Sequence, residues 1–375
     1  MGLLQEDALD PSFVHSTLCV RREGFRVKPA TIRDVADLAK VSVASVSRVL
    51  TGAGVVAEPT RMKVLEAVEA LSYVPHSGAR SLSTNRTDTV GVILPDLFGE
   101  FFSELIRGMD LAARSAGLHL IVSSSHDDAS DAAAAIRSMR GRVDGLIVLS
   151  PHLDAANLAA NLAGRLPVLL MNGGMNEAGR PSIVVDNHGG ARVAVEHLLS
   201  LGHRHIAHIG GPKGNLEARE RQEGYVEAMR AAGGQPLIVD GDFTQASGHR
   251  AMQALLAEGV RPEAVFAGND MMAVGALLAM QDAGVRVPDD VAVVGFDDVP
   301  IAALVRPALS TMRIEIAETG RRAVERLVTL IASTSDGGSE SDIREVITPR
   351  LIVRASSVGD AAALSLAAPS TGDRS

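Results

Sequence analysis

From Val90 onward, short apolar runs alternate with longer stretches in which apolar residues recur at helical spacing. Nine of the apolar runs have the length of a strand and are rich in Val, Ile and Leu: residues 90–95, 118–125, 145–150, 167–172, 182–187, 205–211, 237–242, 264–270 and 291–298. Apolar strands that alternate with helices predict parallel sheets covered on both faces. Because nine strands are more than a usual single sheet holds, we predict an α/β body of two doubly wound lobes.

The chain before Val90 has a different pattern, with three short helical stretches and no strand-like run. Thr31 and Ser42 can cap the first two helices, and the third begins near Pro59. The predicted buried faces are Val35, Leu38 and Ala39 in the first helix, Val46, Val49 and Leu50 in the second, and Val64, Leu65, Val68 and Leu71 in the third. This order of helix, tight turn, helix and supporting helix predicts an all-α helix-turn-helix domain that reads DNA.

Changes in composition indicate the boundaries of these parts. The helix-turn-helix domain is predicted over residues 30–74 and the two-lobed domain over residues 89–356. The small and polar residues 75–88 between them predict a hinge. We expect residues 1–29 to be a disordered extension and residues 357–375 to be a disordered tail.

Charge is distributed unevenly along the chain. The formal net charge is −9, yet residues 21–88 carry +4 while residues 89–375 carry −10. Nucleic acid could therefore bind the basic segment and would be repelled by the acidic body. The single cysteine, Cys19, excludes an internal disulfide framework and a Cys-rich zinc site. Since no apolar run approaches the length of a membrane span and the opening residues lack a basic leader, we expect a cytoplasmic protein.

Residues 31–82 read TIRDVADLAKVSVASVSRVLTGAGVVAEPTRMKVLEAVEALSYVPHSGARSL. This run closely resembles the N-terminal DNA-binding region of the LacI/GalR family of transcription regulators. The resemblance continues through VGVILPD, GLIVLS, AVFAGNDMMAVGAL, VAVVGFDDVP and TPRLIVRAS, and so covers roughly residues 30–356. It implies a homodimer in which each chain carries a helix-turn-helix, a short hinge and a two-lobed sensor similar to periplasmic sugar-binding proteins. The function it implies is that of a repressor whose affinity for a pseudo-palindromic operator is controlled by a small effector.

The second helix of the N-terminal domain carries the candidate base-reading residues. Its first turn would face the base edges in a major groove with Val43, Ala44, Ser47 and Arg48. Arg48 can form paired hydrogen bonds with guanine, while Val43 and Ala44 can contact thymine methyl groups or, alternatively, pack the start of the helix. Hydroxyl groups that can cap helices and also donate to phosphates are those of Thr31, Ser42 and Thr60. The resemblance makes positions 43 and 44 the specificity pair and Arg48 a base-contacting arginine.

The resemblance also covers the hinge, where residues 79–82 read ARSL. In the family this motif, here from Ala79 to Leu82, carries a leucine that enters the minor groove and kinks the DNA; the alternative is that Leu82 packs on the sensor. Two residues depart from the family pattern. Gly78 stands where a better helix former is usual, and Lys40 replaces the glycine common in the turn, where a positive φ costs a non-glycine residue about 1 kcal/mol.

Two α/β lobes that face each other place the carboxyl ends of their strands around one crevice, where a ligand is expected. The aromatic and polar residues that follow these strands or begin the next helix are Phe101, Phe102, Asp186, Asn187, Arg221, Asn269, Asp270 and Asp297. By resemblance, Arg221 and Asp297 grip the effector, and Phe101, Phe266 and Asn269 support it. The alternatives are that Phe102 and Phe266 belong to the core and that Asp270 and Asp298 cap helices. A sugar or sugar derivative is the expected effector, although a purine-type ligand would satisfy similar donors.

Other function classes lack their motifs in this sequence. The dinucleotide-binding G-x-G-x-x-G, the phosphate-binding P-loop and the hydrolase G-x-S-x-G are absent, so we predict neither an enzyme nor a cofactor. On a strand, His203 and His205 would share a face that His208 does not, and this argues against a metal site. The alternative from another class is a solute-binding protein of a transport system, which shares the two-lobed fold. The helical run at residues 31–82 argues against it.

Overall fold

The computed structural model describes residues 30–51, 55–74, 86–126, 128–149, 166–171, 180–335 and 344–359. Contacts divide the chain into two units, residues 1–83 and residues 84–375. The first unit contains the three predicted helices, and the second contains the two α/β lobes. Each unit has its own hydrophobic core, so each is described separately.

Three helices form the described part of the first unit: α1 (Ile32–Ala39), α2 (Val43–Thr51) and α3 (Glu58–Ala70). A capping box begins α1, because the Thr31 side chain accepts from the Asp34 N–H while the Asp34 carboxylate accepts from the Thr31 N–H at 2.7 Å. Lys40 ends the helix in the left-handed conformation, with a φ of 53°. The centre of the unit is filled by Val35, Val46, Val64 and Tyr73.

Two leucines predicted to lie in this core are exposed instead. Leu38 is 52% exposed and Leu65 is 41% exposed. Leu38 directly precedes the buried Ala39, and Leu65 directly follows the buried Val64. Neighbours in an α-helix point about 100° apart, and a core between three short helices covers only a narrow arc of each helix. The two leucines therefore fall outside the buried arc, and their inward placement was wrong.

All nine predicted strands are present in the second unit. They are β1 (Thr89–Leu94), β2 (His119–Ser124), β3 (Gly145–Leu149), β4 (Val168–Met171), β5 (Ser182–Val185), β6 (Ile206–Ile209), β7 (Leu237–Val239), β8 (Ala264–Ala267) and β9 (Ala292–Asp297). Three further strands, which the apolar runs did not predict, are β10 (Ser310–Arg313), β11 (Arg344–Ile347) and β12 (Arg350–Ile352). The helices between them are α4 (Glu100–Ser115), α5 (Ala129–Met139), α6 (Asn187–Ser200), α7 (Leu216–Ala231), α8 (Gln245–Ala257), α9 (Asp270–Asp282), α10 (Ile316–Ser335) and α11 (Ala355–Val358), with a 3₁₀ turn at Pro300–Ala303.

The strands form two six-stranded sheets, one in each lobe. The first sheet has the order β11-β5-β4-β3-β1-β2 and all its pairs are parallel. The second has the order β12-β10-β9-β8-β6-β7, and only β12 runs antiparallel to its neighbour. The central strands β1, β3, β8 and β9 are buried on both faces, as helix-covered parallel sheets require. The predicted fold class is confirmed.

The chain crosses between the lobes three times. After β5 it enters the second lobe, where α6 packs against α7. After β10 it returns to the first lobe, where α10 packs against α4 so closely that a Cβ at Gly108 would lie 1.9 Å from the Ala317 carbonyl oxygen. The third crossing joins β11 in the first sheet to β12 in the second. Both lobes are therefore built from non-contiguous segments of the chain.

Two predicted domain boundaries shift by a few residues. The end of the predicted hinge already belongs to the second unit, because Thr87 and Asp88 donate backbone N–H groups to the Asp144 carboxylate at 2.6 and 2.9 Å. The predicted tail begins too early, because Ser357 is buried in α11. Residues 1–29, 75–85 and 360–375, which make up the rest of the predicted extension, hinge and tail, lie outside the described ranges. Among the residues described, no helix is long and apolar enough to cross a membrane.

Candidate functional site

The exposed face of α2 carries the residues predicted to read DNA. Val46 anchors the helix in the core, whereas Val43, Ala44 and Arg48 are exposed and Ser47 is half-buried. The alternative that Val43 and Ala44 pack the helix start does not fit this exposure. The face therefore presents two small apolar side chains and one guanidinium to solvent, which suits a groove of base edges.

The hydroxyl groups predicted near phosphates lie at helix starts. Ser42 precedes α2, and its Oγ accepts from the Ser45 N–H at 3.1 Å. Thr31 holds the same position before α1, and Thr60 is the third residue of α3. Helix starts present unpaired N–H groups, so an anion can bind there. The hinge residues Ala79 and Leu82 lie outside the described residues.

Arg221, on α7, is the most constrained side chain of the predicted effector cleft. It is only 3% exposed, its Nε donates to Asn187 Oδ1 at 2.9 Å, and its Nη1 donates to the Gly268 carbonyl at 2.6 Å. Its guanidinium lies 3.9 Å from the centroid of the Phe296 ring. These contacts fix the position of the positive charge but do not neutralise it. The acidic side chain that lies beside this charge is that of Asp297.

Asp297 is the last residue of β9 and is buried beside Arg221. Its Oδ1 lies 3.2 Å from Arg221 Nη2, but the two groups are not aligned as a hydrogen bond, and Oδ1 has no hydrogen-bond partner among the described residues. Burial raises the pKa of Asp297 to about 6, and the positive charge of Arg221 offsets only part of that increase. A buried acceptor without a partner is unfavourable, so a ligand that donates to it gains that free energy.

Phe243 is a residue of this region that sequence reasoning missed. Its ring lies 5.8 Å from the Arg221 guanidinium, and its carbonyl accepts from Asn269 Nδ2 at 3.0 Å. It stands in the loop after β7, with a φ of 68°. The signal that could have found it is position, because β7 ends at the same edge of the sheet as β8 and β9.

Several predicted cleft residues use their polar atoms to hold the chain. Asp186 caps α6 by accepting from the Gly189 N–H at 2.8 Å, and Asn269 caps α9 by accepting from the Met272 N–H at 2.9 Å. Asn187 is buried and accepts from Arg221. These residues lie at the ends of strands, as predicted, and they fix the positions of Arg221 and of the loop that holds Phe243.

The aromatic candidates divide into two groups. Phe101 and Phe102 occupy the first turn of α4, half-buried and edge to face with their centroids 5.2 Å apart. Phe266, by contrast, is fully buried in β8 and stacks on His208 with centroids 5.0 Å apart. Its side chain faces the core because alternate residues of a strand face opposite sides. We therefore leave Phe266 out of the proposed site, in agreement with the alternative that it belongs to the core.

The remaining aspartates support the backbone after β9. Asp270 is fully buried and accepts from the Val299 N–H at 2.9 Å, and burial raises its pKa well above the ordinary value. Asp298 makes ion pairs with Arg313 and Arg354. The described residues include no group of three or more His, Cys, Asp or Glu side chains that could hold a metal ion. His208 is buried, and its Nδ1–H donates to the Phe266 carbonyl at 3.0 Å.

Comparisons with known proteins agree with this division of the chain. Residues 31–76 match the family described as bacterial regulatory proteins, lacI family, and residues 195–357 match the periplasmic binding protein-like domain. The HTH-type transcriptional repressor PurR of Aliivibrio fischeri strain ES114 is 35% identical over 334 residues, which cover 87% of this chain and 98% of that protein. Catabolite control protein A of Priestia megaterium is 36% identical over 302 residues, 79% of this chain and 91% of that protein.

Solved structures show the same similarity. The Lac repressor dimer bound to operator and the anti-inducer ONPF has a TM-score of 0.80 at 30% identity, and the match covers 88% of this chain and all of that one. The complex of the transcriptional regulator CelR with cellobiose has a TM-score of 0.63 at 32% identity, with 87% of this chain and 99% of that one covered.

Proposed function

The chain belongs to the lacI family of bacterial regulatory proteins. On that premise we propose that it is a homodimeric repressor whose affinity for operator DNA is controlled by a small molecule bound between its lobes. Two copies of α2 would enter successive major grooves of a pseudo-palindromic operator. The cytoplasm, where DNA is found in bacteria, is the proposed compartment. We assign no catalytic role to any residue.

For DNA recognition, the exposed face of α2 is the observation that carries the proposal. Arg48 would donate two hydrogen bonds to a guanine, and Val43 and Ala44 would contact thymine methyl groups, with Ser47 beside them. Thr31, Ser42 and Thr60 would donate to phosphates and so fix the register of the helix on the duplex. Ala79 and Leu82 are the proposed minor-groove residues of the hinge, with Leu82 as the side chain that enters the base stack.

For effector recognition, the observation that carries the proposal is the Oδ1 of buried Asp297, which has an ion-pair contact with Arg221 but no hydrogen bond. Asp297 would accept from hydroxyl or ring N–H groups, while Arg221 would donate to ligand oxygens. Phe101, Phe102 and Phe243 would cover the apolar face of the ligand, and Asp186 and Asn269 would support the site as helix caps. A sugar or sugar derivative is the proposed effector, and a purine is the alternative that offers similar groups.

Coupling between the two sites follows from linkage. If the effector binds one arrangement of the lobes more tightly and the operator requires the other, the effector lowers operator affinity and the operator lowers effector affinity by the same factor. Co-repression has the opposite sign. A solute-binding protein of a transport system would bind the small molecule but would select no DNA sequence, so operator selection by the full chain separates the two functions.

Arg48→Ala is the variant that tests the DNA half of the proposal. An operator is first selected from a random duplex pool with the full-length protein. Because a paired contact to a base discriminates by about 1–3 kcal/mol, Arg48→Ala should weaken specific binding roughly tenfold or more while leaving non-specific binding nearly unchanged. Arg61→Ala, an exposed arginine of α3, is the control. Equal losses on operator and random DNA in a gel shift at fixed salt would remove Arg48 from base reading.

Asp297→Ala and Arg221→Ala test the effector half. Compounds from a sugar and nucleobase panel that raise the melting temperature of the wild type should lose that effect in both variants. Operator binding without ligand should be retained, because the two sites lie in different units. A normal ligand-induced shift in either variant would exclude that residue from the site.

A further inference from the structure

The last residue of β9 and the residue after it have a backbone conformation that only glycine adopts freely. Asp297 has a φ of 108° and Asp298 a φ of 59°. Side chains disfavour both values, and strained residues of this kind persist only where the surroundings hold them. The strain coincides with the carboxylate that we assign to effector binding, so what holds this segment also decides where that carboxylate points.

The Asp298 carboxylate is held by two arginines from distant parts of the chain. Its Oδ2 accepts from Arg313 Nε at 2.5 Å, and its Oδ1 lies 2.7 Å from Arg354 Nη2. Arg313 is the last residue of β10, and Arg354 precedes α11 and also donates Nη1 to the Leu309 carbonyl at 2.7 Å. The Asp298 side chain is only 6% exposed. Each carboxylate oxygen therefore has its own guanidinium, and such charge-assisted contacts are stronger than those between neutral groups.

The next peptide is fixed as well. Asp270, at the start of α9, accepts from the Val299 N–H at 2.9 Å through one oxygen and from Thr311 Oγ1 at 2.5 Å through the other. Asp298 and Val299 are thus anchored by side chains from α9, β10 and the segment before α11. Within residues 297–299, the Asp297 carboxylate takes no part in these contacts, and its Oδ1 is left beside Arg221 without a hydrogen bond.

We propose that Arg313 and Arg354 are positioning residues of the effector site, which act through Asp298 to keep the Asp297 backbone in its strained conformation and its carboxylate beside Arg221. The proposal rests on the assignment of this cleft as the effector site. Without the two ion pairs, the segment would relax towards ordinary φ values. The Asp297 carboxylate would then leave its buried position and reach water. The ligand class is one with hydroxyl or ring N–H donors, since the group being positioned is an acceptor.

The decisive experiment measures the titration of the Asp297 carboxyl group in the full-length protein labelled with ¹³C at aspartate, with Asp297→Asn to assign the signal. In the wild type the group should titrate near pH 6, because it is buried. In Arg354→Gln and in Asp298→Asn the midpoint should fall by at least one pH unit towards the ordinary range, because the released carboxyl is hydrated. Asparagine tolerates the left-handed conformation, so Asp298→Asn removes the charge without adding strain.

Arg350→Gln is the matched control, because Arg350 lies on the neighbouring strand β12, pairs with exposed Glu315 at 2.9 Å and does not touch Asp298. Its titration midpoint should match the wild type. Arg354→Lys keeps the positive charge and should restore most of the wild-type midpoint, which loss of packing alone would not explain. An unchanged midpoint in folded Arg354→Gln and Asp298→Asn, judged by circular dichroism, would overturn the proposal. If those two variants do not fold, Arg313→Gln, which removes the other ion pair of Asp298, takes their place, and an unchanged midpoint in that variant would overturn the proposal.

A second measurement separates this proposal from the assignment of the cleft. Cellobiose and adenine, a disaccharide and a purine, are titrated calorimetrically into wild type and variants. A probe that binds the wild type should bind Arg354→Gln and Asp298→Asn at least tenfold more weakly. Its affinity for Arg350→Gln should equal its affinity for the wild type. Equal affinity in all four proteins would contradict the positioning role. If neither probe binds the wild type, the titration of Asp297 decides the question, since it needs neither effector nor operator.

Discussion

Two buried groups of the second lobe, Asp297 and His208, shift stability with pH in opposite directions. Asp297 has a pKa of about 6 in the folded chain, above its ordinary value of 3.8. A raised pKa means that the folded state holds the proton more tightly than the unfolded state does. The stabilisation from this group is therefore complete below about pH 3.8 and is lost as the pH rises through 6.

Asp297→Asn tests this linkage, because asparagine cannot titrate. The free energy of unfolding of the wild type should fall relative to the variant by about 3 kcal/mol between pH 4 and pH 7, since each unit of pKa shift corresponds to about 1.4 kcal/mol. Urea unfolding at a series of pH values measures the difference. Asp240→Asn, an exposed aspartate of the same lobe, should show no such trend. A constant difference between wild type and Asp297→Asn would mean that the Asp297 carboxyl is not buried.

His208 gives the opposite slope. Burial lowers its pKa from 6.5 to about 4, so the folded chain holds it neutral while the unfolded chain takes up a proton below pH 6.5. Its stabilisation is present above pH 6.5 and is lost as the pH falls through 4. His208→Phe keeps a ring between Tyr225 and Phe266. In the same urea series, the free energy of unfolding should fall by about 3 kcal/mol less in this variant than in the wild type as the pH falls through 4. His205→Phe, at an exposed position, is the control, and an acid sensitivity equal to wild type in His208→Phe would contradict the assignment.

Single residues of the site could be predicted from the sequence only in part. Arg221 and Asp297 follow from their match to family positions, and the structure brings them together. Phe266 and Phe243 show the limit of such reasoning. Both are aromatic residues near strand ends, yet one packs under His208 and the other lies over Arg221. Sequence spacing places a residue along a strand, but the helices that cover the sheet decide whether it reaches the cleft.

At the scale of elements, the turn between α1 and α2 has a replaceable feature. Lys40 adopts a φ of 53° there, and it carries a side chain that disfavours this conformation. Lys40→Gly should raise the stability of the helix-turn-helix unit by about 1 kcal/mol, because glycine adopts this conformation at little cost. Lys63→Gly, in the middle of α3, should lower it by a similar amount. Both effects are measured by heating the full chain and monitoring how well residues 30–74 are protected from proteolysis. A loss of stability in Lys40→Gly would contradict the prediction for that variant.

Elements with strong periodicity could be predicted, and short charged ones could not. The strands β1, β3, β8 and β9 are continuous apolar runs because helices cover both of their faces. β11 reads REVI and β12 reads RLI, and each lies at the edge of a sheet, where a charged side chain can reach water. An edge strand needs no apolar run, so its sequence carries too little signal to be found without its partner.

At the scale of the whole second unit, a hydrogen bond joins the two lobes across their facing edges. Glu100, the first residue of α4, accepts through its Oε2 from the Ile301 N–H at 2.9 Å. Glu100 follows β1 in one lobe and Ile301 follows β9 in the other, so any movement that separates these strand ends breaks the contact.

Glu100→Ala should therefore loosen the lobes. A hydrogen bond to a charged group contributes about 1.5–3 kcal/mol, so the amide of Ile301 should exchange with deuterium roughly tenfold faster in the variant. Hydrogen exchange with mass spectrometry measures this in the full-length protein. Glu104→Ala is the matched control, because Glu104 lies one turn further along α4 and pairs with Arg107 in its own helix. Equal exchange at Ile301 in wild type and Glu100→Ala would show that the lobes are held together elsewhere.

The architecture of two lobes could be predicted because alternation of strands and helices is a property of long stretches, whereas the crossings between lobes depend on pairings between distant segments.

The order in which the ribosome releases these segments has a consequence. β11 and β12, each at one edge of a sheet, emerge only after all the other strands of both sheets. During the synthesis of the entire second lobe, β5 presents an unpaired edge, and nascent chains with such edges attract chaperones or one another. The helix-turn-helix unit lies before both lobes in the chain, so it leaves the ribosome before either sheet of the sensor is complete.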